Sequence, residues 1–499
     1  MTSISGSPLI YNLPQTVFML SQGSNYLFDQ KASLYELQSA ITAFLEPGGR
    51  FYELLNTPNP SYPCLALAEG QTSADWTTVW GPVVYQADDN PGATNVMYVA
   101  NSAKLNTYVV AIAGTNPTGW SAAVVQDLKV GPGNMVSWPP TVAAAAGGGP
   151  ATLSFTANGD DPTACCIDQG TADGVGILFT MQDRSRSGNL TLAQFLAGLY
   201  DTNSQAGQTL VFTGHSLGGA LSPTLAMLFY PQAAQSTAPA QDTMPNQASG
   251  WEHVFILPTA GPTPGTAAFA AQFCTPVTQT IVPLSVLPIV APSPFSPPTG
   301  LTGPYAPAPT GAAPSGTPAQ FGYWNMIYAN VYDVVPRAWN GLGMLVTEHT
   351  TDLIVDSYPS FFADGSVLGG ADVGGAGVTV FALIEAMKTL SGYPYGADLT
   401  PYYTPCLPHY PINGATTGAW GQWEATAAVF PATTYPATWT AFPNLPTSLT
   451  QPPVAPYLEE VFTDISPYVL NAHLDQYAFA LLGYAAPSYV TDPPPPLPV

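Results

Sequence analysis

The chain has 499 residues, of which 46% are apolar and only 8% charged, with a net charge of −23 from 8 basic and 31 acidic side chains. That is enough apolar material for a sizeable core, and enough length for one domain with large insertions. So little Lys and Arg leaves few groups to neutralise phosphates, which argues against a nucleic-acid partner, and an anionic membrane surface would repel the chain. The five cysteines, Cys64, Cys165, Cys166, Cys274 and Cys406, show no metal-ligand spacing.

In chain order, Met1 to Gln22 has no basic residue and no sustained apolar run, so no signal peptide is visible. Ser33 to Glu46 reads as an amphipathic helix opened by the capping box Ser33-Leu34-Tyr35-Glu36. Thr107 to Ala113 is a continuous apolar, β-branched run suited to a buried parallel strand, and it ends in the turn Gly114-Thr115-Asn116-Pro117. Thr191 to Tyr200 reads as a helix. Thr209 to Phe212, His253 to Thr259 and Tyr323 to Tyr328 read as strands, and Leu221 to Phe229 as a helix. Apolar strands alternating with helices predict an α/β fold with a mostly parallel sheet. Pro283 to Gln320 is rich in Pro, Gly, Ala, Ser and Thr and reads as irregular loop. Tyr393 to Pro456, rich in Pro, Tyr, Trp and Thr, reads as a packed insertion. The longest uncharged stretch, His253 to Tyr332, is broken repeatedly by proline, unlike a membrane-spanning helix.

The motif with most chemistry is Thr213-Gly214-His215-Ser216-Leu217-Gly218-Gly219-Ala220, set between an apolar strand and an apolar helix. Gly-x-Ser-x-Gly at such a junction is the pattern of a nucleophile elbow, in which the serine takes a strained conformation and the glycines give it room. The helix N-terminus beyond it favours developing negative charge. A serine hydroxyl needs a base, and the base needs a carboxylate to orient it. Among the five histidines, His215 adjoins the serine and His253 opens a strand. His473, on a late segment after Ser466-Pro467, ranks first as base, ahead of His409 and His349. Asp333 is the first charge after the long uncharged stretch and follows a strand candidate. It ranks ahead of Asp352 and Asp356 as the acid. The oxyanion would take one N–H from Leu217 and a second donor from the Gly114-Thr115 turn.

These residues resemble the class 3, or fungal-type, triacylglycerol lipases of the α/β-hydrolase superfamily. Gly114-Thr115 with Trp120 and Asp127-Leu128 resembles the family's oxyanion strand and the helix after it, although Ala113 stands where the family usually has arginine. Thr213 to Ala220 resembles its elbow. Gly261-Pro262 with Gly265 and Phe269 resembles the strand and turn beyond. Asn330-x-x-Asp333-x-Val335-Pro336 resembles its acid motif, and His473-x-x-x-Tyr477 its histidine segment.

The resemblance implies an α/β-hydrolase with Ser216, Asp333 and His473 as triad and Thr115 with Leu217 as oxyanion hole. No metal or cofactor is called for. The expected substrate is a lipid or other neutral ester, at an oil–water interface, and the resemblance favours an extracellular setting. The expected organisation is an N-terminal helical region over 1–106, a catalytic domain over 107–487 with insertions near 283–320 and 340–456, and a Pro-rich tail over 488–499. Two other readings stand beside it: an esterase for short-chain, aryl or polymeric esters, and a non-catalytic binding protein on a hydrolase fold.

Overall fold

The computed structural model describes residues 13–26, 30–52, 76–87, 92–115, 129–143, 150–159, 161–186, 188–204, 206–230, 251, 253–274, 327–330, 335–337, 339, 399–406, 409–412, 473 and 477. The main sheet has seven strands that follow one another in space as they do in sequence: β1 (Thr77–Tyr85), β2 (Asn95–Ser102), β3 (Thr107–Ile112), β4 (Thr209–His215), β5 (His253–Thr259), β6 (Ile327–Asn330) and β7 (His409–Ile412). The pairs β1–β2 and β2–β3 are antiparallel, and every pair from β3 to β7 is parallel. Parallel neighbours need long crossovers, and described helices lie in those that join β3 to β4, β4 to β5 and β5 to β6.

Among the described residues, six helices flank this sheet or lie near it in sequence: α1 (Leu13–Gly23), α2 (Leu34–Leu45), α3 (Gln169–Thr180), α4 (Leu192–Asp201), α5 (Leu217–Phe229) and α6 (Ala267–Cys274). The apolar strands read as continuous runs because both faces of the sheet are covered. Side chains alternate across a strand. Val109, Ala111, Val211, Phe255 and Leu257 therefore point to one side, where they meet Phe18 and Leu20 of α1 and Ile41 and Phe44 of α2. Val110, Ile112, Leu210, Phe212 and Ile256 point to the other, where they meet α3, α4, α5 and α6. All 13 residues of α5 are buried, which explains why this helix is apolar all round rather than striped.

The sequence expectations hold where local chemistry is strong. Ser33 caps α2 through the capping box: its N–H donates to Glu36 Oε2 at 2.9 Å while its hydroxyl accepts from the Glu36 N–H at 3.4 Å. Thr191 and Gln194 do the same for α4. Helix α5 begins at Leu217, directly after the serine, and continues through the apolar run Leu221 to Phe229. Gly218 and Gly219 are poor helix formers, but they sit where no larger residue fits.

Other expectations are corrected. The segment before position 107, read as helical, also carries β1 and β2. In β1 the Gly81-Pro82 pair hides the strand pattern, and the strand tolerates a proline because it is the sheet edge. Part of the stretch read as an insertion, His409–Ile412, is the strand at the other edge. Strand β6 runs over Ile327–Asn330, later than the expected Tyr323 to Tyr328. The loop Pro283 to Gln320 and the tail over 488–499 lie outside the described residues.

Candidate active site

The site lies at the C-terminal end of β4. Ser216 takes φ 60° and ψ −128°, in the left-handed half of backbone space that a residue with a side chain enters at a cost. Two hydrogen bonds hold it there. Its N–H donates to the Thr259 carbonyl at 3.1 Å, and its carbonyl accepts from the Gly219 N–H at 2.7 Å. The side chain makes no capping bond to the helix it precedes, and the residue remains partly exposed.

The glycines around the serine are a packing requirement. A β-carbon on Gly214 would run into the Gly218 backbone, and one on Gly218 into the carbonyls of Ile112 and Ala113. Gly219 and Gly261 face each other so closely that a β-carbon on Gly219 would stand 2.6 Å from Gly261 Cα. The start of α5 is thereby pressed against the ends of β3 and β5. Strain at the serine persists because these contacts over-determine its backbone.

The turn after β3 adjoins the serine. A β-carbon on Gly114 would lie 2.9 Å from Ser216 Cβ and 2.7 Å from the His215 carbonyl. The Gly114 turn and the N-terminus of α5 at Leu217 therefore both adjoin Ser216. The Gly114 N–H itself donates to Asn25 Oδ1 at 2.7 Å, from the turn after α1. The sequence carried no signal for Asn25.

His215 follows the strand parity of Val211 and points to the α1 side of the sheet. Its ring is fully buried. Nδ1 is 2.8 Å from Thr259 Oγ1, and the ring packs with centroid distances of 4.8 Å to His473, 5.1 Å to Tyr477 and 6.3 Å to Phe18. Burial above all, and the neighbouring His473 charge after it, hold the His215 pKa well below the ordinary imidazole value. The His473 backbone offsets this only in part. His215 is thus a neutral ring wedged under the elbow.

His473 and Tyr477 are both buried, and their spacing of four puts them on one helical face. The chain's late histidine segment is therefore brought to the serine's neighbour from more than two hundred positions away in sequence. The described contact is between the two histidine rings. His409, the second-ranked base, begins β7. It pairs with Ile327, three strands from β4, which is about 14 Å at the usual strand spacing. Asp333 lies outside the described residues, as do His349, Asp352, Asp356, Trp120 and Asp127-Leu128. Strand β6 ends at Asn330, three positions before Asp333, with the Tyr328 row of the sheet level with Thr259 and His215. Among the described residues no group of His, Cys, Asp and Glu could hold a metal ion, and no helix is long and apolar enough to cross a membrane.

A mostly parallel sheet flanked by helices, with a Gly-x-Ser-x-Gly turn joining a central parallel strand to a buried helix, is the α/β-hydrolase fold. Solved structures similar to this chain include the M37 lipase, at 19% identity and TM-score 0.42 over 95% of this chain and 99% of that one. A Rhizomucor miehei lipase–propeptide complex is similar at 15% identity and TM-score 0.25, over 53% of this chain and 51% of that one. Lip2 lipase from Yarrowia lipolytica is similar at 13% identity and TM-score 0.28, over 68% and 78%. No protein-family model and no curated protein matches the sequence.

Proposed function

We propose that the chain is a serine carboxylester hydrolase acting on neutral acyl esters. The observation that carries this reading is the conformation of Ser216: left-handed, partly exposed, at the N-terminus of a buried helix and hard against the Gly114 turn. Strain of this kind is retained where it presents a reactive group.

In this reading the Ser216 hydroxyl attacks the ester carbonyl while His473 takes its proton. Asp333 holds the imidazole in the required tautomer and stabilises its charged form. The carbonyl electrons move onto oxygen, where the Leu217 N–H at the head of α5 and the Thr115 group meet them. His473 returns the proton to the leaving alcohol as the tetrahedral species collapses to an acyl-enzyme. Water then repeats the sequence and releases the acid. His215, neutral and locked to Thr259, gives the His473 ring a surface to pack on without competing for the proton.

The test is covalent. A fluorophosphonate should label the protein at one site, and Ser216→Ala should abolish labelling while leaving the melting temperature within a few degrees. Undiminished labelling of Ser216→Ala would overturn the reading, and no labelling of the native chain would favour a binding protein on this fold.

A further inference from the structure

We infer that Asn25, in the N-terminal segment, is a positioning residue for the oxyanion hole, acting through the Gly114-Thr115 turn. The inference rests on the proposed hydrolase reading and names a part of its machinery that no motif indicates.

Asn25 follows α1 in a tightly bonded turn. Its own N–H donates to the Gln22 carbonyl at 3.0 Å, and its Nδ2 donates to the Ser21 carbonyl at 3.3 Å. Ser24 Oγ donates to the same Ser21 carbonyl at 2.6 Å, and Ser21 Oγ to the Phe18 carbonyl at 2.8 Å. The Asn25 amide is therefore oriented by the helix end. Its one acceptor oxygen faces away from α1 and takes the Gly114 N–H at 2.7 Å.

Helix α1 is itself a firm base. Val17, Phe18, Met19 and Leu20 are buried on the sheet. The Tyr98 hydroxyl of β2 donates to the Leu20 carbonyl at 2.6 Å. Gly23 fits against Phe51 and Tyr98 with no room to spare, since a β-carbon there would stand 3.0 Å from each ring system.

The consequence lies at Gly114. The backbone there runs beside Ser216, with only glycine fitting, and glycine alone would leave the turn free to swing. By fixing the Gly114 N–H, Asn25 fixes the Ala113–Gly114 peptide, one residue before Thr115, and so restricts how far the turn that carries the Thr115 N–H and hydroxyl can swing. The bonded N–H is spent on Asn25, so the oxyanion donor on this side is Thr115 and not Gly114. A donor misplaced by about 1 Å can cost on the order of 10²-fold in rate.

Asn25→Leu removes the acceptor at similar size. With p-nitrophenyl butyrate, kcat should fall at least about 10-fold with KM within two-fold, because the lost interaction is made in the transition state. The inhibition constant of phenylboronic acid, which forms a tetrahedral adduct with the serine, should weaken by a similar factor. If Asn25→Leu does not yield folded protein, Asn25→Ala, which removes the acceptor without adding strain, is measured in the same way. A kcat and boronate affinity within two-fold of the parent would overturn the inference, as would a loss confined to KM or to melting temperature. Fluorophosphonate labelling separates this from failure of the hydrolase reading: labelling lost in Ser216→Ala but near the parent rate in Asn25→Leu sinks the Asn25 role alone.

Discussion

The imidazoles of His215 and His473 lie with ring centres 4.8 Å apart and planes tilted by 43°, so a residue next to the proposed nucleophile and one near the other end of the chain form one buried contact. This contact ties the histidine segment to the end of β4 and to Thr259 of β5. It brings His473, the proposed base, beside the residue that adjoins Ser216.

If His473 acts with Ser216 as a unit, the effects of removing them do not add. Ser216→Ala should lower ester turnover by several orders of magnitude, leaving on the order of 10³-fold over water. Adding His473→Ala to Ser216→Ala should then change little, whereas His409→Ala, three strands away, should keep most activity. An inactive His409→Ala beside an active His473→Ala would reassign the base.

The Thr115 side chain offers a second test of the hole. Thr115→Val keeps the shape and the backbone N–H but removes the hydroxyl. If the hydroxyl donates to the oxyanion, kcat should fall by roughly 10²-fold with little change in KM. An unchanged kcat would leave Thr115 a backbone role only.

His215 makes a prediction about acid. Its folded pKa is depressed, and the unfolded value is near 6.5. Between those values the unfolded state binds the extra proton. Stability is therefore full above about pH 6.5 and declines as the pH falls toward the folded pKa, by about 1.4 kcal/mol per pH unit for one proton. Replacement by Gln removes that proton uptake. Subtracting the His215→Gln unfolding free energy from that of the parent, between pH 7.5 and 5, should give a difference that shrinks with acid. His473, which faces the same ring, must be compared in the same background. A difference that does not vary with pH would show that His215 is not held neutral by burial.

Charge and surface bear on substrate. With a net charge of −23 the protein should disfavour anionic esters, and added salt should weaken that preference. Neutral medium or long acyl esters should be hydrolysed faster than acetates, since apolar contact contributes roughly 25 cal/mol per Å² removed from water. A p-nitrophenyl series whose kcat/KM falls steadily from acetate to octanoate would instead favour the short-chain esterase.

The amino-acid sequence by itself determined the features that rest on local chemistry. The caps Ser33 and Thr191 start their helices through side chains three residues apart. The runs Thr107 to Ala113 and His253 to Thr259 are mostly apolar because the strands they form are covered on both faces. The elbow is legible because only glycine fits at 214, 218 and 219, and that constraint is written in the sequence. What depends on distant segments meeting was decided only by the tertiary structure. The edge strands β1 and β7 gain their pairing from neighbours rather than from their own pattern, and Gly-Pro and Pro-rich stretches disguise them. Asn25 reads as any turn residue until α1 lies on the sheet and brings its oxygen to Gly114. His215 could be seen beside the serine, but its burial against His473, Tyr477 and Phe18 follows from the parity of β4 and from what covers that face. Propensity and periodicity act over a few residues, whereas the site is assembled by contacts between positions far apart in the chain.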